Sequence, residues 1–215
     1  MITLKRALQA IVCAVLLWAQ TCQAQALVEL LKAVEEGNTK RAVFYLDRGL
    51  DPNSTNADGN TILMIASRLG HLELVSTLVA RKASLTRQSR SGDTALMMAC
   101  LGGHLGVVKL LVSAGAPIEA GKGWQPIHYA AFSGSAGVLS FLLERGADKN
   151  ALAPNGYTPL MLAVRNGYED AASLLLKHDA DFTYRGMAGE TALGIATKRG
   201  DDALVDLLKR AGAAN

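Results

Sequence analysis

Two ladders of glycine run along the chain with one shared period. Gly37, Gly70, Gly103, Gly134, Gly167 and Gly200 follow one another at intervals of 33, 33, 31, 33 and 33 residues. Gly59, Gly92, Gly123, Gly156 and Gly189 follow at 33, 31, 33 and 33. The ladders share the same 31-residue lapse, so one structural unit is being repeated. A unit of about 33 residues is too small to bury its own apolar face and must stack on its copies.

Each unit carries the same local signals. After the second-ladder glycine comes a threonine and an apolar run: Thr61-Ile62-Leu63-Met64, Thr94-Ala95-Leu96-Met97, Thr158-Pro159-Leu160-Met161 and Thr191-Ala192-Leu193. Threonine suits a helix N-cap, and proline at the first helical position gives up no needed N–H. The next glycine ends that short helix. A second helix follows, as in Leu74-Val75-Ser76-Thr77-Leu78-Val79 and Val107-Val108-Lys109-Leu110-Leu111-Val112. Its apolar residues are too frequent for a solvent-facing helix, so it is expected to be sandwiched between neighbours. It ends at Gly49, Gly115, Gly146 and Gly212, where a left-handed residue is expected. Lys82 and Asp179 hold that place in two units.

These motifs resemble the ankyrin repeat, whose usual signature is Gly-x-Thr-Pro-Leu-His-x-Ala-Ala, then Gly-His, a Val/Leu helix and Gly-Ala-Asp. Gly156-Tyr157-Thr158-Pro159-Leu160 and Gly146-Ala147-Asp148 carry the resemblance best. It implies an all-α solenoid of about six helix-turn-helix repeats joined by β-hairpin loops, with boundaries near 26–55, 56–88, 89–120, 121–152, 153–185 and 186–215. The first repeat lacks the Thr-Pro turn and is expected to begin at Leu27. Polar Glu35, Glu36 and Lys40 at one end, and Lys198, Arg199, Asp201 and Asp202 at the other, suit capping repeats.

Ahead of the solenoid, residues 1–24 read as a signal peptide. Lys5 and Arg6 precede an apolar stretch from Ala7 to Ala19, and small residues at alternate positions end at Ala24 and Ala26. Cleavage after either alanine fits, leaving 25–215 as the ankyrin-repeat domain in the periplasm or outside the cell. The apolar stretch is short for a membrane span, and Ala19-Gln20-Thr21 ahead of Cys22 is unlike a lipobox. Loss of the leader leaves 20 basic against 19 acidic residues. That balance gives no case for nucleic acid or a membrane surface. Cys100 becomes the one remaining cysteine, so no internal disulfide can form; its apolar surroundings predict an alanine-like packing role.

Catalytic, cofactor and metal sites are not expected. His71 and His104 stand one period apart at helix-to-helix turns, about 10 Å from each other on adjacent repeats and too far to share a zinc ion. His128 takes the place of the histidine in the Thr-Pro-Leu-His turn, and His178 ends a helix. Glu35 with Glu36, and Asp201 with Asp202, diverge on a helix instead of converging on one atom.

The resemblance implies that a protein partner binds the concave face, formed by hairpin tips and first helices. Asn60, Asp93, Trp124, Tyr157 and Glu190 follow the turn glycines. Trp124, Tyr157 and Phe132 are the candidate aromatic anchors, and Arg90, Lys122, Arg165 and Arg185 a basic rim favouring a partner with acidic groups. Gly115 to Gly123 is two residues shorter than its counterparts, so a notch floored by Trp124 and walled by Arg90 and Tyr157 is expected there. The chain is read as a monomeric scaffold for a client protein; an immunity protein or inhibitor of a toxic enzyme, or a secreted effector, would use the same surface.

Overall fold

The structure is a computed structural model, described for residues 22–119 and 123–212. Lys122 and most of the signal-peptide segment lie outside these residues. Helix α1 is described over 22–35, which extends it ahead of Leu27, where the first repeat was expected to begin. It is followed by α2 (Thr39–Leu46), α3 (Ile62–Leu69), α4 (Leu72–Ala80), α5 (Ala95–Leu101), α6 (Leu105–Ser113), α7 (Pro126–Phe132), α8 (Ala136–Glu144), α9 (Pro159–Asn166), α10 (Glu169–Lys177), α11 (Ala192–Arg199) and α12 (Asp202–Arg210). Odd and even helices alternate as the inner and outer members of six pairs.

The threonines cap as expected. Thr61, Thr94, Thr158 and Thr191 accept hydrogen bonds from the backbone N–H groups of Met64, Met97, Met161 and Gly194 at 3.1–3.3 Å. Met64 and Met97 return the contact, their sulfurs accepting the N–H of Thr61 and Thr94. In the fourth repeat Gln125 and His128 stand in those places, and the Gln125 N–H donates to His128 Nδ1 at 2.9 Å.

Burial corrects one expectation. The inner helices are the sandwiched ones: Ile62 through Ser67 of α3 and Pro159 through Val164 of α9 are all buried. The outer helices bury a stripe, such as Leu74, Val75 and Leu78 on α4, and leave Leu72 exposed. Inner helices pack broadly on their successors while outer ones meet more sparsely. The stack therefore curves with its inner helices and loop tips on the concave side.

The loops are fingers closed at their tips. Asn56, Ser89, Ala153 and Gly186 donate their N–H groups to the carbonyls four residues on, and accept from Gly59, Gly92, Gly156 and Gly189. Those glycines have φ of 76–86°, the left-handed region that glycine enters without strain. The expected β-hairpin arms reduce, among the described residues, to one antiparallel bridge between Thr55 and Thr61. About ten residues spent mostly on the tip leave little chain for a ladder.

One seam recurs at every repeat interface. A carbonyl in the last turn of each inner helix accepts a side chain from the next repeat: Glu35 from His71, Arg68 from His104, Cys100 from Ser133, Phe132 from Asn166 and Arg165 from Arg199, all at 2.8–3.2 Å. The rings of His71 and His104 lie against Gly37 and Gly70, where a Cβ would come within 2.6 Å of ring atoms. The Gly-His pairs thus serve packing and carbonyl pairing. Cys100 is fully buried, and burial pushes its thiol far above the ordinary range, which leaves it inert as a nucleophile.

Candidate protein-binding face

Three columns of side chains face the concavity. The first holds the residues after the finger glycines. The second, on the inner helices, is Ile65, Met98, Tyr129, Leu162 and Ile195. The third, near their ends, is Arg68, Leu101, Phe132, Arg165 and Lys198. In the middle of the stack these columns turn aromatic.

Trp124 is half-buried. Its ring stands edge-on to His128 at 5.6 Å and tilted against Tyr129 at 5.8 Å. It is thus seated on its own repeat's inner helix, less open than its loop position suggested. Tyr129 donates its hydroxyl proton to the Asp93 carboxylate of the preceding finger, which Ser89 also bonds, Oγ to Oδ2, at 3.3 Å. Burial, then this hydrogen bond and the Asp93 charge, raise the Tyr129 pKa well above its ordinary value. Phe132 is exposed, one short helix away from Trp124. Tyr129 escaped the sequence reading, though it is the one large polar side chain in a column of aliphatic ones.

His128 is fully buried. It accepts from the Gln125 N–H through Nδ1 and donates through Nε2 to the Ala151 carbonyl at 2.8 Å, which defines a neutral tautomer. Burial lowers its pKa, against smaller raising effects of that carbonyl and of Asp148. Among the described residues no group of three His, Cys, Asp or Glu side chains is placed to hold a metal ion.

Tyr157 and Arg165 are brought together, with the guanidinium 5.6 Å above the ring. Hydrogen bonding between the Tyr157 hydroxyl and the Glu190 carboxylate raises the tyrosine's pKa and holds the glutamate's below its ordinary value. With Ile195, Lys198 and Arg199 these residues line a cleft of about 550 Å³ over the last two repeats. Gly194 opens it, standing where Met64, Met97, His128 and Met161 occupy earlier repeats.

The other rim residues sit elsewhere. Arg90 lays its stem against Gly59 of the preceding finger, 3.1 Å from where a Cβ would stand. Arg185 donates to the Gly189 carbonyl of its own finger at 3.1 Å. Tyr157 leans toward Glu190 and Arg165, away from Trp124. The shortened loop expected to form a notch runs through residues 120–122, outside the described residues; of its expected walls, Arg90 touches the preceding finger and Tyr157 is drawn to Glu190 and Arg165. A second cleft, of about 470 Å³, lies over the first three repeats. Asp58, Asp93, Glu35 and Arg68 line it, above a floor of Ile65, Met98 and the exposed Leu69.

The family model for ankyrin repeats (3 copies) matches residues 30–121, 80–153 and 127–215. The crystal structure of the human ASB11 ankyrin repeat domain is similar in fold, with a TM-score of 0.79 and 24% sequence identity over 86% of this chain and 84% of that one. No curated protein sequence matches the chain.

Proposed function

Because the chain belongs to the ankyrin-repeat family, whose members are in general protein-interaction modules, we propose that it is a non-catalytic scaffold holding a client protein on its concave face in the periplasm. The observation that carries this is the aromatic row of the middle repeats. Trp124 and Tyr157 share a column with Asn60, Asp93 and Glu190, so the fold makes no demand for an aromatic there. Phe132 likewise shares its column with Arg68, Leu101, Arg165 and Lys198, and remains exposed. Rigid, partly open aromatics that the fold does not require are suited to anchoring a partner.

Export is supported by the leader's composition and by where the core starts. Residues 22–25 are exposed, and the first buried residue among those described is Leu30. Among the described residues, cleavage after Ala24 or Ala26 therefore removes no core side chain. Amino-terminal sequencing of the protein recovered from a periplasmic fraction should begin at Gln25 or Leu27; recovery with Met1 in the cytoplasm would overturn the localisation.

Affinity capture from periplasmic extract, followed by binding measurements with the captured protein, tests the surface. Phe132→Ala and Trp124→Ala should each weaken binding by roughly 2 kcal/mol. Phe132 is exposed, so its truncation separates binding from folding. An unchanged dissociation constant in both variants would remove the concave aromatics from the interface.

A further inference from the structure

We propose that the concave face receives one continuous stretch of partner polypeptide, with basic residues over the first three repeats and acidic residues over the last two. This rests on the concave face being the binding surface, and adds the partner's chemistry and direction.

The charges on that face are sorted by sign. Asp58, Asp93 and Glu35 line the first cleft, with Arg68 as its one lining cation among the described residues. Arg165, Lys198 and Arg199 line the second, with Glu190 as its one carboxylate. Asp58, Arg68, Arg165 and Lys198 form no ion pair among the described residues, whose pairs are Arg41 with Glu29 and Glu36, Arg81 with Asp47, and Arg199 with Asp201. The linings of the two clefts thus carry net negative charge at one end and net positive charge at the other, in a chain whose overall charge is close to balanced. Such a surface attracts a complementary pair of charge blocks and repels the reversed arrangement.

The spacing selects the kind of occupant. The clefts lie three repeats apart, and helices packed at 8–10 Å place them roughly 25–30 Å from each other. A strand of about eight residues spans that distance. Between the clefts Trp124, Tyr129 and Phe132 offer apolar contact to the middle of the segment, so one chain can satisfy both ends and the centre at once.

Amide chemical-shift titrations of the leader-free chain at low ionic strength test this, with deca-lysine, deca-glutamate and a block peptide of four lysines, an apolar centre and four glutamates as probes. Deca-lysine should move the amides of Asp58, Asn60 and Asp93, and deca-glutamate those of Arg165, Lys198 and Arg199. The block peptide should move both sets and bind about tenfold more tightly than either homopolymer, since its second contact is intramolecular. Asp58→Lys should weaken deca-lysine binding at least fivefold while leaving the deca-glutamate shifts in place. Homopolymers that move the same amides, or none on the concave face, or a block peptide no tighter than they are, would overturn the proposal. With the captured client, loss of affinity in Phe132→Ala but none in Asp58→Lys or Lys198→Glu would overturn the polarity alone. No loss in any of the three would overturn the concave reading itself.

Discussion

Tyr129 and Asp93 join the fourth inner helix to the second finger through a hydroxyl-to-carboxylate hydrogen bond beside Trp124. Tyr129→Phe keeps the ring packing and removes the donor. A hydrogen bond to a charged group contributes about 1.5–3 kcal/mol, and the loss should fall at the low end because Ser89 still serves Asp93. The pH dependence is separable from this. The Tyr129 pKa in the fold lies above the unfolded value near 10, so its contribution is whole below pH 10 and is lost as pH rises toward the folded value. Denaturant titrations from pH 8 to 11 should show that alkaline loss in the wild type and a smaller one in the variant.

His128 has the opposite sign. Its pKa in the fold lies below the unfolded value of 6.5 because the ring is buried. As pH falls below 6.5 the unfolded chain takes up the proton first, so stability is full above that point and drains as pH drops toward the folded value. His128→Met copies Met64 and Met97, whose sulfurs accept the equivalent N–H, but leaves the Ala151 carbonyl without its donor. It should cost about 1 kcal/mol at pH 8 and flatten the stability profile between pH 6.5 and 5. An unchanged acid slope would assign that titration to other groups.

Lys82 has φ of 64°, where Gly49, Gly115 and Gly146 serve other repeats. A side chain in this conformation costs roughly 1–2 kcal/mol relative to glycine. Lys82→Gly should raise Tm by roughly 2–8 °C, as read by calorimetry. Asp179→Gly, at φ of 57°, should raise it less, since aspartate tolerates the left-handed region better.

Gly70 and Gly115 both have positive φ, but only Gly70 faces a ring. Gly70→Ala sets a Cβ 2.5 Å from His104 Nδ1, and His104 cannot swing away without leaving the Arg68 carbonyl. Gly115→Ala meets nothing within 4 Å among the described residues. The first should cost clearly more than the second, whose penalty is the backbone strain alone, about 1 kcal/mol. Equal losses in urea denaturation would contradict the packing role of the Gly-His pairs.

The repeat architecture was legible because it is written in residues whose backbone needs are local. The finger and helix-end glycines, the capping threonines, and the misfit of Lys82 and Asp179 in a glycine position all follow from φ/ψ and orphan N–H groups within a few residues. The concave face was legible only as a set of positions. Trp124 is seated by His128 and Tyr129, Arg90 by Gly59 of another finger, and Tyr157 by Glu190 and Arg165; each posture depends on a neighbour whose direction the period does not encode. The outer helices misled for a related reason. Their apolar residues matched a sandwiched helix in frequency, yet the buried stripe of Leu74, Val75 and Leu78 occupies one side only.

The seam of last-turn carbonyls bears on how such a chain can change over time. Its donors differ in reach, from the short serine hydroxyl to the long arginine fork, and each suits the gap at its own junction. Unequal recombination that drops or duplicates a whole module would bring mismatched donors face to face wherever the new junction forms. Single substitutions on the open curve, Arg199 apart, remove no seam donor. Module order is therefore held in place by chemistry at the joints, while the recognition surface remains at liberty to drift from one client to another.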